Sequence, residues 1–236
     1  APNAVLIRDG RFYKAYSQSV AGVPAAELMN PSAWIRSNNM REFLTVEWLR
    51  KVSGQAMIGI NAIDASEPNL VVGRDGVIYV LYRVNHVGTD RQIVVKLSDD
   101  GTTLSPVEEI DSFLVGFPTS LSKVIIRYDE STDRYIALSN AYTGAVLTSQ
   151  RTVLCIASSE DLFHWEIEDY LLVSRDIASP LTEAYRHAYQ YPDFVFGGDD
   201  LLVVVREASD YANYFHDGTY TTFYRVSNYR NLLSIN

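Results

Sequence analysis

The chain has a single cysteine, Cys155, in 236 residues. One cysteine excludes an intrachain disulfide framework and a cysteine-based metal knuckle. Its setting, "TVLCIAS", reads as a strand carrying a buried structural thiol. Long apolar runs are also missing, and none approaches the roughly 18 residues that a membrane helix requires. Positive charge is scarce: 20 Lys and Arg stand against 29 Asp and Glu, a formal net charge of -9. Without a basic stripe to neutralise phosphates, nucleic acid is excluded as a partner. The opening "APNAVLIRDG" has no basic start followed by an apolar stretch, so no signal peptide is read there. The expectation is a mature secreted chain or a trimmed one, extracellular or periplasmic in place. No His/Asp/Glu grouping has a spacing that demands a metal and no cofactor is expected, with a structural calcium left open. What the chain holds in abundance is aromatic: 16 Tyr, 9 Phe and 3 Trp. Tyrosine presents a flat apolar face and a hydroxyl, which suits both β cores and sugar stacking.

The chain also repeats itself. A short strand, a serine and an apolar residue six positions later recur in "AWIRSNNMREF", "VVKLSDDGTTL", "CIASSEDLFHW" and "FYRVSNYRNLL". The pairs are Ser37 with Phe43, Ser98 with Leu104, Ser159 with Trp165, and Ser227 with Leu233. The serines are 61, 61 and 68 residues apart. Asn39, Asp100 and Asp161 hold the position that can fix a tight turn, and Tyr229 takes it in the fourth copy. A second hairpin precedes each copy: "AVLIRDGRFYKAYS", "LVVGRDGVIYVLYRV", "KVIIRYDESTDRYIAL" and "DFVFGGDDLLVVV". Each is two β-rich runs joined by a Gly/Asp turn, a strong hairpin signal.

Each repeat therefore reads as strands A, B, C and D of one antiparallel blade, and blades repeated radially make a β-propeller. The expected fold is all-β, a single propeller domain over 1–236 with blades at 1–60, 61–118, 119–185 and 186–236. The chain reads either as a four-bladed ring or, the favoured expectation, as part of a larger ring of five to seven blades whose first portion precedes it. A β-sandwich with coincidental spacing is the alternative. "MREFLTVEWLRKV" has some helical spacing but falls where strand D of the first repeat belongs.

The tight A–B and C–D turns share one face of such a fold; the D–A and B–C connections share the other and carry the elaborated, polar residues. Function is sought on such loops. His187, Tyr189, Tyr191 and Asp193 enter the last strand A. Arg206, Glu207, Asp210 and His216 leave the last strand B. In the second repeat Arg83, Asn85 and His86 occupy the same place, and in the third Asn140 does. Arg83 and Arg206 are thus equivalent, and a guanidinium fork suits a carboxylate or sulfate. The catalytic candidates are His187, Tyr189, Tyr191, Asp193, Arg206, Glu207 and His216. The substrate-binding candidates are Arg83, Asn85, His86, Asn140 and Asp210. Plainer roles stand beside these: Arg206 salt-bridged to Glu207 or Asp210, Asp193 capping its strand or fixing Arg206, Arg127 structural.

Through "RDGVIYVLYRVNH", "SSEDLFHWEI", "YQYPDFVFGGDDLLVVVREASD" and "HDGTYTTFYRVSNYR" the chain resembles the sialidase-like propellers of bacterial polysaccharide degraders, and its Ser/Asp turns are similar to degenerate Asp-boxes. The turns are one residue shorter than the usual box, with Leu104 in place of Trp in one copy. The resemblance implies a glycoside hydrolase acting on an acidic glycan. True sialidases hold the sugar carboxylate with three arginines, and two well-placed ones are found here. Some propellers of similar appearance are lyases of uronic-acid polysaccharides, with His or Tyr as base and acid and an Arg that neutralises the uronate; the same residues fit that chemistry. A non-catalytic propeller binding carbohydrate or protein is the reading from another class. The expected partner is an acidic oligo- or polysaccharide.

Overall fold

A computed structural model describes residues 5–45, 47, 65–84, 91–107, 114–118, 122–141, 151–174, 186–209 and 212–234. Its described elements are strands and short 3-10 turns, and every paired strand is antiparallel to its neighbour. The strands form four consecutive sheets, the blades of an all-β propeller fold. The chain divides into two compact units, Ala1–Gly116 with Asp161–Phe163, and Phe117–Glu160 with His164–Asn236.

The first unit holds two sheets. One is β1 (Val5–Arg8), β2 (Arg11–Tyr16), β3 (Ser19–Pro24) and β4 (Ile35–Arg36). The other is β5 (Ala65–Val72), β6 (Ile78–Val84), β7 (Arg91–Leu97) and β8 (Leu104–Pro106), with β9 (Leu114–Gly116) also paired to β7. The second unit holds β10 (Ile125–Asp129), β11 (Arg134–Asn140), β12 (Val153–Ser159) and β13 (Glu166–Val173), then β14 (Ala188–Gly197), β15 (Asp200–Ala208) and β16 (Tyr220–Val226).

All four expected hairpins form. Their turns need left-handed backbone, supplied by Asp9 and Gly10, Gly76, Asp133 and Gly198, each with φ between 49 and 80°. Glycine adopts that region without a Cβ penalty, and Asp tolerates it better than most residues.

The alternation of period two sorts each strand. Ile78, Val80 and Tyr82 of β6 join Tyr13, Val20, Val95 and Leu104 in the core of the first unit. Leu201, Val203 and Val205 of β15 join Ile136, Leu138, Ile156, Phe194 and Tyr229 in the core of the second. The other face of β15 carries Leu202, Val204 and Arg206. There Val204 and its cross-strand partner Phe223 on β16 are exposed.

The serine turns hold in three copies and shift in one. Ser98 and Ser227 directly follow the third strand of their sheets, and Ser159 is the last residue of its own. At the first of these the Ser98 hydroxyl donates to Asp100 Oδ1 at 2.6 Å, and that oxygen also accepts from the Thr102 amide at 3.0 Å. These bonds hold the Asp100 carboxyl down at about 2. Ser37 instead follows the fourth strand, β4. Its Oγ accepts from the Val20 amide at 3.0 Å, so it extends the pairing beyond a two-residue strand. Strand D of this sheet is therefore Ile35–Arg36, and the start of "MREFLTVEWLRKV" is a 3-10 turn, Met40–Glu42. An Asn39 capping box turns the chain there. Trp165 is half-buried, edge-on to Phe117 at 4.9 Å.

Candidate functional site

Strands β14 and β15 pair residue for residue except at one place. Gln190 faces Arg206 and Asp193 faces Val204, so Tyr191 and Pro192 form a bulge. A bulge re-aims the side chains around it. Tyr191 has φ 49°, and proline after it already disfavours the ordinary helical alternative. A bulky residue held there costs on the order of 1–3 kcal/mol and marks a place worth examining for function.

That backbone turns the Tyr191 ring beneath Arg206, whose guanidinium carbon lies 4.5 Å from the ring centroid. Arg206 Nη2 donates to Gln190 Oε1. Arg151, buried at the entrance to β12, donates to the same oxygen from Nη1 at 3.1 Å. Gln190 is 1% exposed, and its amide nitrogen donates to the Phe215 carbonyl. The Phe215 ring packs 5.2 Å from the Arg151 guanidinium carbon, and His216 is exposed beside it with ring centroids 4.5 Å apart. Two guanidinium groups thus meet on one neutral oxygen. Among the described residues no carboxylate pairs with Arg206, and its buried Nε has no hydrogen-bond partner.

The remaining candidates lie elsewhere. Glu207 follows Arg206 in the strand and so faces the opposite side of the sheet. Its Oε2 accepts from the Tyr224 hydroxyl at 2.9 Å and the Thr222 hydroxyl at 3.0 Å, so the anticipated Arg206–Glu207 salt bridge does not form. Burial, followed by the bond to Glu207, pushes the Tyr224 phenol up to about 12, far from an ionised nucleophile. Tyr189 is on that side too, packed against the core of the second unit. Asp193 does not fix Arg206. It pairs with Arg127, 2.9 Å from Nη2, while Arg127 Nε donates to the Phe194 carbonyl, which gives Arg127 the structural role expected of it. His187 is half-buried just ahead of β14. Asn140 Nδ2 lies within reach of three carbonyls, those of Tyr189 at 2.8 Å, Val153 at 3.1 Å and Arg151 at 3.3 Å. Asn85, His86 and Asp210 lie outside the described residues.

Arg83, in the first unit, sits in the same local device as Arg206. Ser66 faces Arg83 and Asn69 faces Leu81, with Glu67 and Pro68 bulged between them and Glu67 at φ 50°. Here the bulged residue brings a carboxylate, and Glu67 Oε2 lies 2.6 Å from Arg83 Nη1 with both side chains largely buried.

The reading of the sequence missed Arg151 and Gln190. Arg151 lies just ahead of β12, at the entry to a strand C, whereas the expected candidates sit at the entry to strand A or the exit from strand B. Gln190, an amide between two tyrosines, carries no charge that would mark it in the sequence.

No family model and no curated protein matches the chain. Solved structures do. An exo-β-1,3-galactanase from Clostridium thermocellum superposes with a TM-score of 0.53 at 11% identity, covering 97% of this chain and 49% of its own. An exo-β-1,3-galactanase from Phanerochaete chrysosporium gives 0.52 at 11% identity, covering 88% and 44%. A Trypanosoma rangeli sialidase in complex with sialic acid gives 0.50 at 13% identity, covering 92% and 27%. The chain thus spans less than half the length of each. The likeness is one of fold, and at that level the sialidase-like resemblance read from the sequence is borne out.

Proposed function

We propose that this chain is a carbohydrate-active glycosidase module that receives the acid group of an anionic sugar at Arg206 and Arg151 and cleaves the neighbouring glycosidic bond. One observation carries the reading: two cationic forks converge on a single neutral oxygen, and Arg206 has no carboxylate of its own among the described residues. A guanidinium with no carboxylate of its own among the described residues favours an incoming carboxylate, which uses the planar fork. Gln190, anchored through the Phe215 carbonyl, holds the Arg206 fork in place for it. Tyr191 then limits how far the guanidinium swings. The galactanases and the sialidase of like fold support glycosidic hydrolysis as the chemistry.

A second reading, β-elimination on a uronate, draws on a specific observation. Glu207 is turned to the other side of the sheet, while the imidazole of His216 stands beside the ring that packs on Arg151. In such an elimination the arginine neutralises the acid group, and the imidazole takes the proton next to it and returns a proton to the departing glycosidic oxygen as the double bond forms.

The test is a panel of sialylated, uronate-containing and neutral glycans. Turnover is followed by reducing-end release and by absorbance at about 235 nm, since elimination alone creates the absorbing unsaturated product. Hydrolysis gives reducing ends without absorbance, and Arg206→Ala should lower turnover by a factor of roughly 30 to 1,000, equivalent to ~2–4 kcal/mol. Equal turnover by Arg206→Ala and the parent sinks the proposal.

A further inference from the structure

The two Arg-facing bulges differ in one residue that matters. Both have the pattern X-Pro-(Asn/Asp), both put X in left-handed backbone, and both face an arginine near the end of the partner strand. In the first unit X is Glu67, and its carboxylate sits on Arg83 at 2.6 Å. In the second X is Tyr191, whose ring stacks on Arg206 and brings no charge. The backbone device is the same; the electrostatic outcome is opposite.

We infer that the bulged residue decides whether its arginine serves an internal or an external carboxylate, so that Tyr191 is the residue selecting for anionic sugars. Glu67 shows within this chain what a carboxylate does when the bulge delivers one: it takes the arginine for itself. Tyr191 closes one face of the Arg206 guanidinium and leaves the edge to a ligand. Position 191 is thereby a specificity-determining position: an acidic residue there would fill the site from within. The inference rests on the proposed function for the identity of the ligand, but its structural core does not.

The experiment compares Tyr191→Glu with Tyr191→Gln, a pair that differs only in charge. Binding of D-glucuronate, N-acetylneuraminate and uncharged D-glucose is measured by calorimetry for both variants and the parent. Tyr191→Glu should bind the two sugar acids at least about tenfold more weakly than Tyr191→Gln, because the fork is already engaged. Thermal melts supply a readout that needs no ligand. A glutamate held by Arg206 has a lowered pKa, so Tyr191→Glu should melt above Tyr191→Gln near pH 7. That advantage should fade as pH falls through the carboxylate range, below about 4. If the parent binds neither acid, the proposed function fails while the melts still decide the inference. Equal sugar-acid affinities for the two variants, or no melting advantage near pH 7, overturn it.

Discussion

Asn140 ends β11 and Arg206 lies near the end of β15, the equivalent strand of the neighbouring sheet in the same unit, yet their surroundings have little in common. Asn140 is 1% exposed and its amide nitrogen is given over to backbone carbonyls, one of them in the strand entry at Tyr189. It stitches β14 to β11 and β12. Arg206 is held by one amide oxygen and one aromatic face and keeps an unpartnered Nε. Each keeps one buried unpartnered atom, Oδ1 in Asn140 and Nε in Arg206, but Asn140 is neutral and enclosed, whereas Arg206 is a half-buried cation with no carboxylate among the described residues. Position in the fold does not separate the two; a charge left without an opposite charge does.

The contrast breaks most readily at Asn140. Replacing it with Leu removes the amide that bridges β14 to β11 and β12, although the Arg151 and Val153 carbonyls keep the Tyr189 and Ala141 amides as donors, and the loss is on the order of 1–3 kcal/mol. Urea unfolding should show a lower midpoint at unchanged slope, while the sugar-acid affinity of the folded fraction stays near that of the parent. A variant as stable as the parent would show that Asn140 is not the stitch described.

Gly218 sharpens the Arg206 side. A Cβ placed there would lie 2.8 Å from both Cγ and Cδ of Arg206. Gly218→Ala keeps the guanidinium but pushes its stem aside, so sugar-acid affinity should fall about tenfold, ~1.4 kcal/mol, with little change in melting temperature. Unaltered affinity would mean that the fork tolerates displacement and that its present position carries no meaning.

The smallest effect belongs to the turn at Asp100, remote from either residue. Bonds from the Ser98 hydroxyl and then from Thr102 hold this carboxyl at about 2, below its ordinary value. A lowered folded-state pKa gives stability that is complete above about pH 4 and is lost as pH falls toward 2. Melting curves of the parent and Asp100→Asn should therefore converge over that window. Curves that stay parallel from pH 5 to pH 2 would show that the turn does not depend on the ionised form.

The sheets were legible in the sequence because their turns are chemical statements. "RDG" and "GGDD" demand left-handed backbone, and the runs around them alternate or stay apolar over strand length. Ser37 misled because β4 is only two residues long, so the serine that should close the third strand closes the fourth. The site was legible in part. Arg206, Tyr191 and His216 stand out as rim residues, but the expected Arg206–Glu207 salt bridge overlooks the period of two, which sets these neighbours on opposite faces. Arg151 could not be paired with Gln190 from sequence, since 39 residues separate them and only the folded sheets bring them together. The Tyr191 backbone was hidden as well, because left-handed geometry in a bulky residue is imposed by pairing on both sides and leaves no composition signal.

Cys155 has a practical consequence. Its thiol is fully enclosed, donates to the Ser139 carbonyl at 3.3 Å, and is pushed up to about 12 by burial. At neutral pH almost none of it is thiolate, the form that reacts with alkylating reagents. The chain therefore behaves toward maleimide chemistry as if it had no cysteine, and one introduced at the exposed His216 would be the preferred attachment point. A fluorophore placed there would report on the arginine site in a protein whose native thiol need not be removed.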